Sequence, residues 1–448
     1  SSNDNSKVIR IGRDENLTEM VKEKYAVEYA QSRWINKIIN KSNDFARKLI
    51  KDIEFDPDNL NKYIIAKNII NNNEKNENLY SQEMGIINRF ESKYSKELID
   101  SKEFKWLLIQ QEWINRIPGK SDIQQYFIKN AIIVSGTCTG VVSNRAINDM
   151  VFDYVIIDEA AKATFPELLI SIIRAKKIIM VGDHKQLPPV LDKDLIDKSI
   201  DIFKESNLDS GTLYDSIFMN LFENLPNENK QILSTQYRMH PVIGTMISQV
   251  FYDNAISNGV PSSSRTHPIE CYRDKAIIWI DTSNCPERYE ESVSTSFSNL
   301  FEANIVKEQL KIIDEGNKDS DLDVGVITGY SAQKNLIQKV IQPVQFKNLS
   351  EKVSVNTVDA FQGGQKDIII YSTVKSNKKK KSIGHLKSKE RLNVAFSRAK
   401  RLLIIVGDSN FLNNITIQEN LFPKIIKYVK DNDQYCEIID YNNLTEKH

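Results

Sequence analysis

The sequence predicts an α/β protein: two parallel-sheet domains in succession, the first carrying a mainly helical insertion. Three observations carry this. Short, β-branched apolar runs recur along the chain, each followed by loop residues and then a helical pattern, as parallel sheets with crossover helices require. A polar, Pro-containing stretch at 223–229 divides these runs into two sets. A long Lys-, Glu- and Asn-rich stretch with helical spacing interrupts the first set.

Val8-Ile9-Arg10-Ile11-Gly12 reads as a short strand ending in Gly. From about residue 14 to 130, Phe90, Tyr94 and Leu98, then Trp106, Trp113 and Ile117, fall at helical spacing, with the charges on a solvated face. Strand-like runs resume at 131–135, 154–157 and 177–181. A second set follows at 231–233, 276–280, 324–328, 353–356, 368–372 and 402–406. The expected boundaries are therefore 1–13 with 131–228 for the first domain, 14–130 for the insertion and 229–448 for the second domain.

Composition narrows the function classes. With 40% hydrophobic and 27% charged residues, the chain is globular rather than disordered. Its 60 basic and 60 acidic residues cancel, so an anionic partner must be held by local groups, not by bulk charge. Cys138, Cys271, Cys285 and Cys436 are scattered without a CxxC, which argues against a zinc site and for a reducing compartment such as the cytoplasm, with the nucleus equally open. No apolar run approaches the ~20 residues of a membrane span. The chain starts Ser1-Ser2-Asn3 without an initiator Met, as a fragment or processed product would.

The run Val155-Ile156-Ile157-Asp158-Glu159-Ala160-Ala161 places two carboxylates at the carboxyl end of a strand, where open α/β sheets bind ligands. One carboxylate can hold the water shell of Mg²⁺ and the other can take a proton from an attacking water. An Asp-Glu pair here is equally the acidic first turn of a helix. Downstream stand Gly182-Asp183-His184-Lys185-Gln186-Leu187-Pro188-Pro189 and Gln236-Tyr237-Arg238-Met239-His240-Pro241. Beyond them come the segment from Val355 to Asp367, which contains Gln362-Gly363-Gly364-Gln365, and that from Arg391 to Lys400.

Together with the acidic pair, these four ordered segments resemble the superfamily 1 helicases, most closely the up-frameshift-like branch. The resemblance covers about residues 7–13 and 131–448. It implies two RecA-like domains, the first incomplete at its N-terminus, and an ATP- and Mg²⁺-dependent motor on single-stranded RNA or DNA that moves 5′→3′. By the same resemblance, Asp158 binds the metal, Glu159 is the general base, Gln186 couples γ-phosphate to the nucleic acid, and Tyr237 stacks on adenine. Arg238 and Arg398 act as arginine fingers, because phosphoryl transfer spreads charge over equatorial oxygens. Gly364 and Gln365 lie against the nucleotide; the family commonly has Glu at the latter position, so the ribose contact here is uncharged. Thr137 and Thr139 match the strand-gripping loop of the first domain, and Tyr330, Ser331 and Thr357 match those of the second. Ser/Thr/Gly runs of this kind also make ordinary turns. Lys378 to Lys381 form a basic loop that reads first as a solvated segment.

The chain carries no P-loop, G-x-x-x-x-G-K-[ST]. Pro118-Gly119-Lys120-Ser121 has Ile114 where the first Gly belongs, and it lies in the insertion. The expectation is that the 448 residues are the C-terminal portion of a larger enzyme, with room for fused or associated domains upstream; a non-enzymatic nucleic-acid-binding or scaffold module is the rival. Without the P-loop's lysine and backbone donors the β- and γ-phosphates lose most of their binding groups. Nucleic-acid-stimulated ATPase assayed on the 448 residues by themselves is therefore expected at background, and turnover above it would overturn the expectation.

Overall fold

The computed structural model describes residues 8–11, 18–49, 57–71, 81–115, 120–142, 144–189, 217–318, 320–349, 351–361, 363–378, 382–417 and 419–444. Gly12, Ile117, Pro118, Gly119, Gln362, Lys379, Lys380 and Lys381 lie outside them. The chain divides into two compact units, residues 1–155 with 166–178 and residues 156–165 with 179–448. Among the described residues no helix is long and apolar enough to cross a membrane.

In the first unit, β1 (Val8–Arg10) pairs in parallel with β2 (Ile133–Ser135). More than a hundred residues of chain separate these neighbours, and the described part of it is helical. The helices hold a core of their own, in which Tyr63 stacks on Phe90 at 4.3 Å and Phe104 and Leu107 pack beside them. The helical expectation is met among the described residues; its apolar phase holds at buried Phe90 and fails at Trp106. Trp106 is 63% exposed, because Phe104 and Leu107, three residues apart, turn the inner face of helix Lys102–Asn115 away from it.

β3 (Phe152–Ile157) and β4 (Ala175–Met180) form a two-stranded sheet. By its apolar, mostly β-branched residues, Val155-Ile156-Ile157 reads as a buried strand. Ile157 is buried, but Ile156 is 68% exposed, and Tyr154, Ile178 and Ile179 are exposed with it. Two strands cannot cover both of their own faces, so β-branched residues suited to an interior strand remain at the surface.

The second unit holds β5 (Thr235–Gln236), β6 (Ser257–Asn258), β7 (Ile277–Asp281) and the antiparallel hairpin β8 (Glu291–Val293) and β9 (Ser296–Ser298). β10 (Val324–Thr328), β11 (Val353–Thr357), β12 (Lys366–Ser372), β13 (Ala399–Gly407) and β14 (Cys436–Asp440) follow. Six of them make one parallel sheet in the order β11-β10-β12-β13-β7-β14. Hydrophobic cores lie on both faces, which is why these strands read as near-continuous apolar runs. The strand expected at 231–233 is absent: Leu233 is 81% exposed, and the pairing falls instead on β5 and β6.

The sheet's two ends carry different residues. Gly364 and Gln365 precede β12 and Arg398 precedes β13, at the amino ends of adjacent strands; Lys366 N–H donates to Arg398 O at 3.1 Å. Tyr330, Ser331 and Thr357 lie at the carboxyl ends of β10 and β11.

At that carboxyl end Glu302, in the first turn of helix Leu300–Gly316, is fully buried. It accepts from Ser372 Oγ at 2.7 Å, Val374 N–H at 2.8 Å and Thr373 Oγ1 at 3.2 Å. These bonds hold Val374 at φ 69°, a left-handed value costly for a β-branched residue. Burial pushes the Glu302 carboxyl up to about 7. An unfolded Glu ionises near ~4.3. The carboxyl's contribution to stability is therefore complete below that pH and is lost as pH rises to about 7, by about 4 kcal/mol in all. In thermal denaturation from pH 5 to 8, Glu302→Gln should gain on the wild type as pH rises; a pH-independent gap would refute this.

Candidate active site

The acidic turn is built by backbone geometry. Val181 N–H donates to Ile157 O and Ala160 N–H donates to Val181 O, both at 2.8 Å, so the end of β3 and the residues after the turn are held to one strand end. Between them Glu159 takes φ 53°. Asp158 Oδ1 accepts from Glu159 N–H at 2.9 Å. Both side chains are exposed. A single 3-10 turn, Ala160–Lys162, follows, and the Glu159 side chain makes no cap to it. The turn therefore presents two carboxylates rather than capping a long helix.

Asp183, from the loop after β4, organises a polar network. Its Oδ1 accepts from Lys185 N–H at 3.0 Å, and its Oδ2 accepts from Gln186 Nε2 at 2.9 Å and from the Tyr252 hydroxyl. Gln186 Oε1 in turn accepts from Arg398 Nη2 at 3.1 Å. Arg398 is only 3% exposed, and its Nη1 donates to Gly364 O at 3.1 Å. Its Nε is buried without a hydrogen-bond partner among the described residues.

Tyr237 and Arg238 follow β5 in a turn that Gln236 braces. Gln236 Oε1 accepts from Arg238 N–H and Met239 N–H at 2.8 Å each, and its Nε2 donates to Asn258 Oδ1 at 2.7 Å. Arg265 clamps the same turn from outside, donating to Tyr237 O and Arg238 O at 2.8 Å each. The exposed Tyr237 ring lies over Gly259, so closely that a Cβ there would sit 2.3 Å from the ring. Arg238 Nη1 donates to Ser397 O at 3.3 Å. Burial lowers the Arg238 pKa while the Glu159 charge opposes the shift. Arg398 is lowered by burial and then by Arg238, with Glu159 again opposing. Two desolvated guanidiniums thus share the field of one carboxylate, and among the described residues neither forms an ion pair. Taking guanidinium groups out of water without an ion-pair partner is costly, which fits a site for a polyanion.

Asp158, Glu159, Gln186, Arg238 and Arg398 all belong to the second compact unit. A hard-oxygen donor on an exposed turn suits Mg²⁺, which binds through one or two carboxylates plus water and substrate phosphates. Gly363 adopts φ 85° with open space around it, and Gln365 is exposed. Gln236, Gly259, Arg265, Tyr252 and Asn393 join the site without having been picked out in the sequence. Only Gln236 and Asn393 fell inside a motif; the others are recruited by distant hydrogen bonds or close approach.

The residues matched to the strand grip are more dispersed. Thr137 and Thr139, in the first unit, are exposed, and Thr137 Oγ1 accepts from Gly140 N–H at 3.0 Å. Ser331 is exposed at the start of helix Ser331–Ile341, and Thr357 is half-buried. Tyr330 is only 3% exposed. Its hydroxyl donates to Ile383 O at 3.4 Å and accepts from His385 N–H at 3.1 Å, and its ring meets Phe297 edge-on.

Two family models described as AAA domain match the chain, at residues 1–194 and 213–410. The regulator of nonsense transcripts 1 homolog of Neurospora crassa is 33% identical over 74% of this chain and 28% of its own length. The ATP-dependent helicase NAM7 of Saccharomyces cerevisiae is 34% identical over 69% of this chain and 31% of its own. The 5′-3′ DNA helicase ZGRF1 of Mus musculus is 30% identical over 75% of this chain and 17% of its own. The chain thus spans about a third or less of the length of these relatives. With the paired arginines, the acidic turn and the bridging glutamine on one unit, these matches place the chain in the superfamily 1 helicases, in their up-frameshift-like branch.

Proposed function

We propose that the chain is part of an ATP-dependent helicase that translocates 5′→3′ on single-stranded RNA or DNA. The observation that carries this reading is the bond from buried Arg398 to Gln186 Oε1, with half-buried Arg238 held on Ser397 O, the residue before Arg398, and the Glu159 charge bearing on both arginines. Bound Mg²⁺ would supply charge neutralisation to the phosphates. Asp158 would hold its water shell, and Glu159 would take the proton from the attacking water. Arg398, Arg238 and Gln186 would bear on the γ-phosphate, and Tyr237 would offer its outer face to adenine. Thr137 and Thr139 on one domain, with Ser331 and Thr357 on the other, would hold the backbone of the strand.

The domain boundaries proposed are 1–13 with 131–228, 14–130 and 229–448. Exposed Tyr154, Ile156, Ile178 and Ile179 on β3 and β4 support further cover over this small sheet. Names of relatives point both to RNA transcripts and to DNA, so the nucleic acid is left as either.

Strand displacement by the full-length gene product tests the reading, with matched RNA and DNA duplexes tailed at the 5′ or 3′ end. ATP-dependent displacement of 5′-tailed duplexes alone is expected, and displacement from 3′ tails would overturn the direction. In the same protein Glu159→Gln should lower turnover about 10²- to 10⁴-fold while retaining nucleotide binding; unchanged ATPase would remove Glu159 as base.

Gly259→Ala drives a methyl into the Tyr237 ring. If that ring stacks on adenine, KM for ATP should rise about 3- to 10-fold with kcat little changed. An unchanged KM would refute the stacking role.

A further inference from the structure

We propose that Tyr252, which lies in none of the motifs, is a positioning residue for hydrolysis: its hydroxyl fixes Asp183, and through it the side-chain amide of Gln186 in the orientation that engages Arg398. The proposal rests on the hydrolytic reading of the site.

Tyr252 caps the C-terminal end of helix Pro241–Phe251. Its hydroxyl has both roles filled, donating to Asp183 Oδ2 and accepting from Asn393 Nδ2 at 2.7 Å. Asn393 Nδ2 also donates to Lys185 O at 2.8 Å. One phenol thus ties together the loop that carries Asp183 and Gln186, the end of a helix, and helix Lys389–Phe396, which leads into Arg398. Burial and the neighbouring Asp183 charge push the phenol's pKa up, so it remains a hydrogen-bond donor at any working pH.

Orientation is the point of the arrangement. A side-chain amide is a donor at one end and an acceptor at the other, whereas a carboxylate only accepts and a guanidinium only donates. Asp183 Oδ2 must therefore take Gln186 Nε2, and this turns Gln186 Oε1 toward Arg398. A flipped amide would set donor against donor at Arg398 and acceptor against acceptor at Asp183. The register holds only while Asp183 keeps its rotamer, and Tyr252 shares the oxygen that sets it. The Tyr252 ring packs against the apolar core on one face of the six-stranded sheet, so Phe keeps the ring contacts and removes the hydroxyl alone.

The test is a kinetic cycle on the full-length protein with Tyr252→Phe, Gln186→Ala and the double variant, measured as nucleic-acid-stimulated ATPase. Loss of one buried hydrogen bond acting through Gln186 should lower kcat about 10-fold in Tyr252→Phe, with KM for ATP nearly unchanged. The double variant should be no slower than Gln186→Ala alone. Wild-type kcat in Tyr252→Phe, a change confined to KM, or a double variant showing the product of the two single losses would each overturn the proposal. A wild type without ATPase would remove the hydrolytic reading instead. Hydrogen exchange at the Gln186 side-chain amide then decides the positioning: protection lost in Tyr252→Phe supports it, and equal exchange in both proteins overturns it.

Discussion

The site depends on the cost of bringing two guanidinium groups out of water near each other. Arg398 is almost fully buried, its pKa is lowered by burial and by Arg238, and only Glu159 opposes the shift with negative charge close to both arginines. Such an arrangement is unfavourable in isolation and must be held by groups that do not neutralise it. Neutral acceptors do this work: Gly364 O and Gln186 Oε1 on Arg398, and Ser397 O on Arg238. They fix direction without cancelling charge, so the positive field stays available to a phosphate.

The six-stranded sheet presents different residues at its two ends. At the amino ends of β12 and β13 stand Gly364, Gln365 and Arg398; at the carboxyl ends of β10 and β11 stand Tyr330, Ser331 and Thr357. Strands buried on both faces are stiff, and the register from Ile368 to Ser372 against Leu402 to Val406 is continuous, after one shift between Lys366 and Ile368. A displacement at one end can therefore reach the other as movement of a packed body. Buried Glu302 and Gln333 reinforce the carboxyl end, where Gln333 Nε2 donates to Ser372 Oγ at 3.0 Å.

Legibility followed physical range. The strands read at 324–328, 368–372 and 402–406 were legible from composition because burial on both faces demands apolar runs, whereas β11, at the sheet's edge, is mostly half-buried. The short run Gln231-Ile232-Leu233 also reads as a strand, yet among the described residues it pairs with none, and so short a run does not tell the two apart. Trp106 shows a similar limit: helical spacing identified the helix, while the inner face was chosen by Phe104 and Leu107. Tyr252 and Arg265 left no local mark, since their partners lie 69 and 141 residues away for the one and 27 and 28 for the other. Gly259 was one glycine among 16 until the ring of Tyr237 came to rest on it.

The left-handed backbone at Glu159 has one more consequence. A residue with a side chain costs about 1 kcal/mol or more in that conformation, and glycine escapes the cost. Glycine at this position would therefore make a steadier turn and remove the carboxylate with it. The chain keeps the less comfortable residue at the end of β3, where conformational ease and chemistry pull in opposite directions. A search for thermally hardened variants would be drawn to this position and would harden the turn at the expense of its carboxylate.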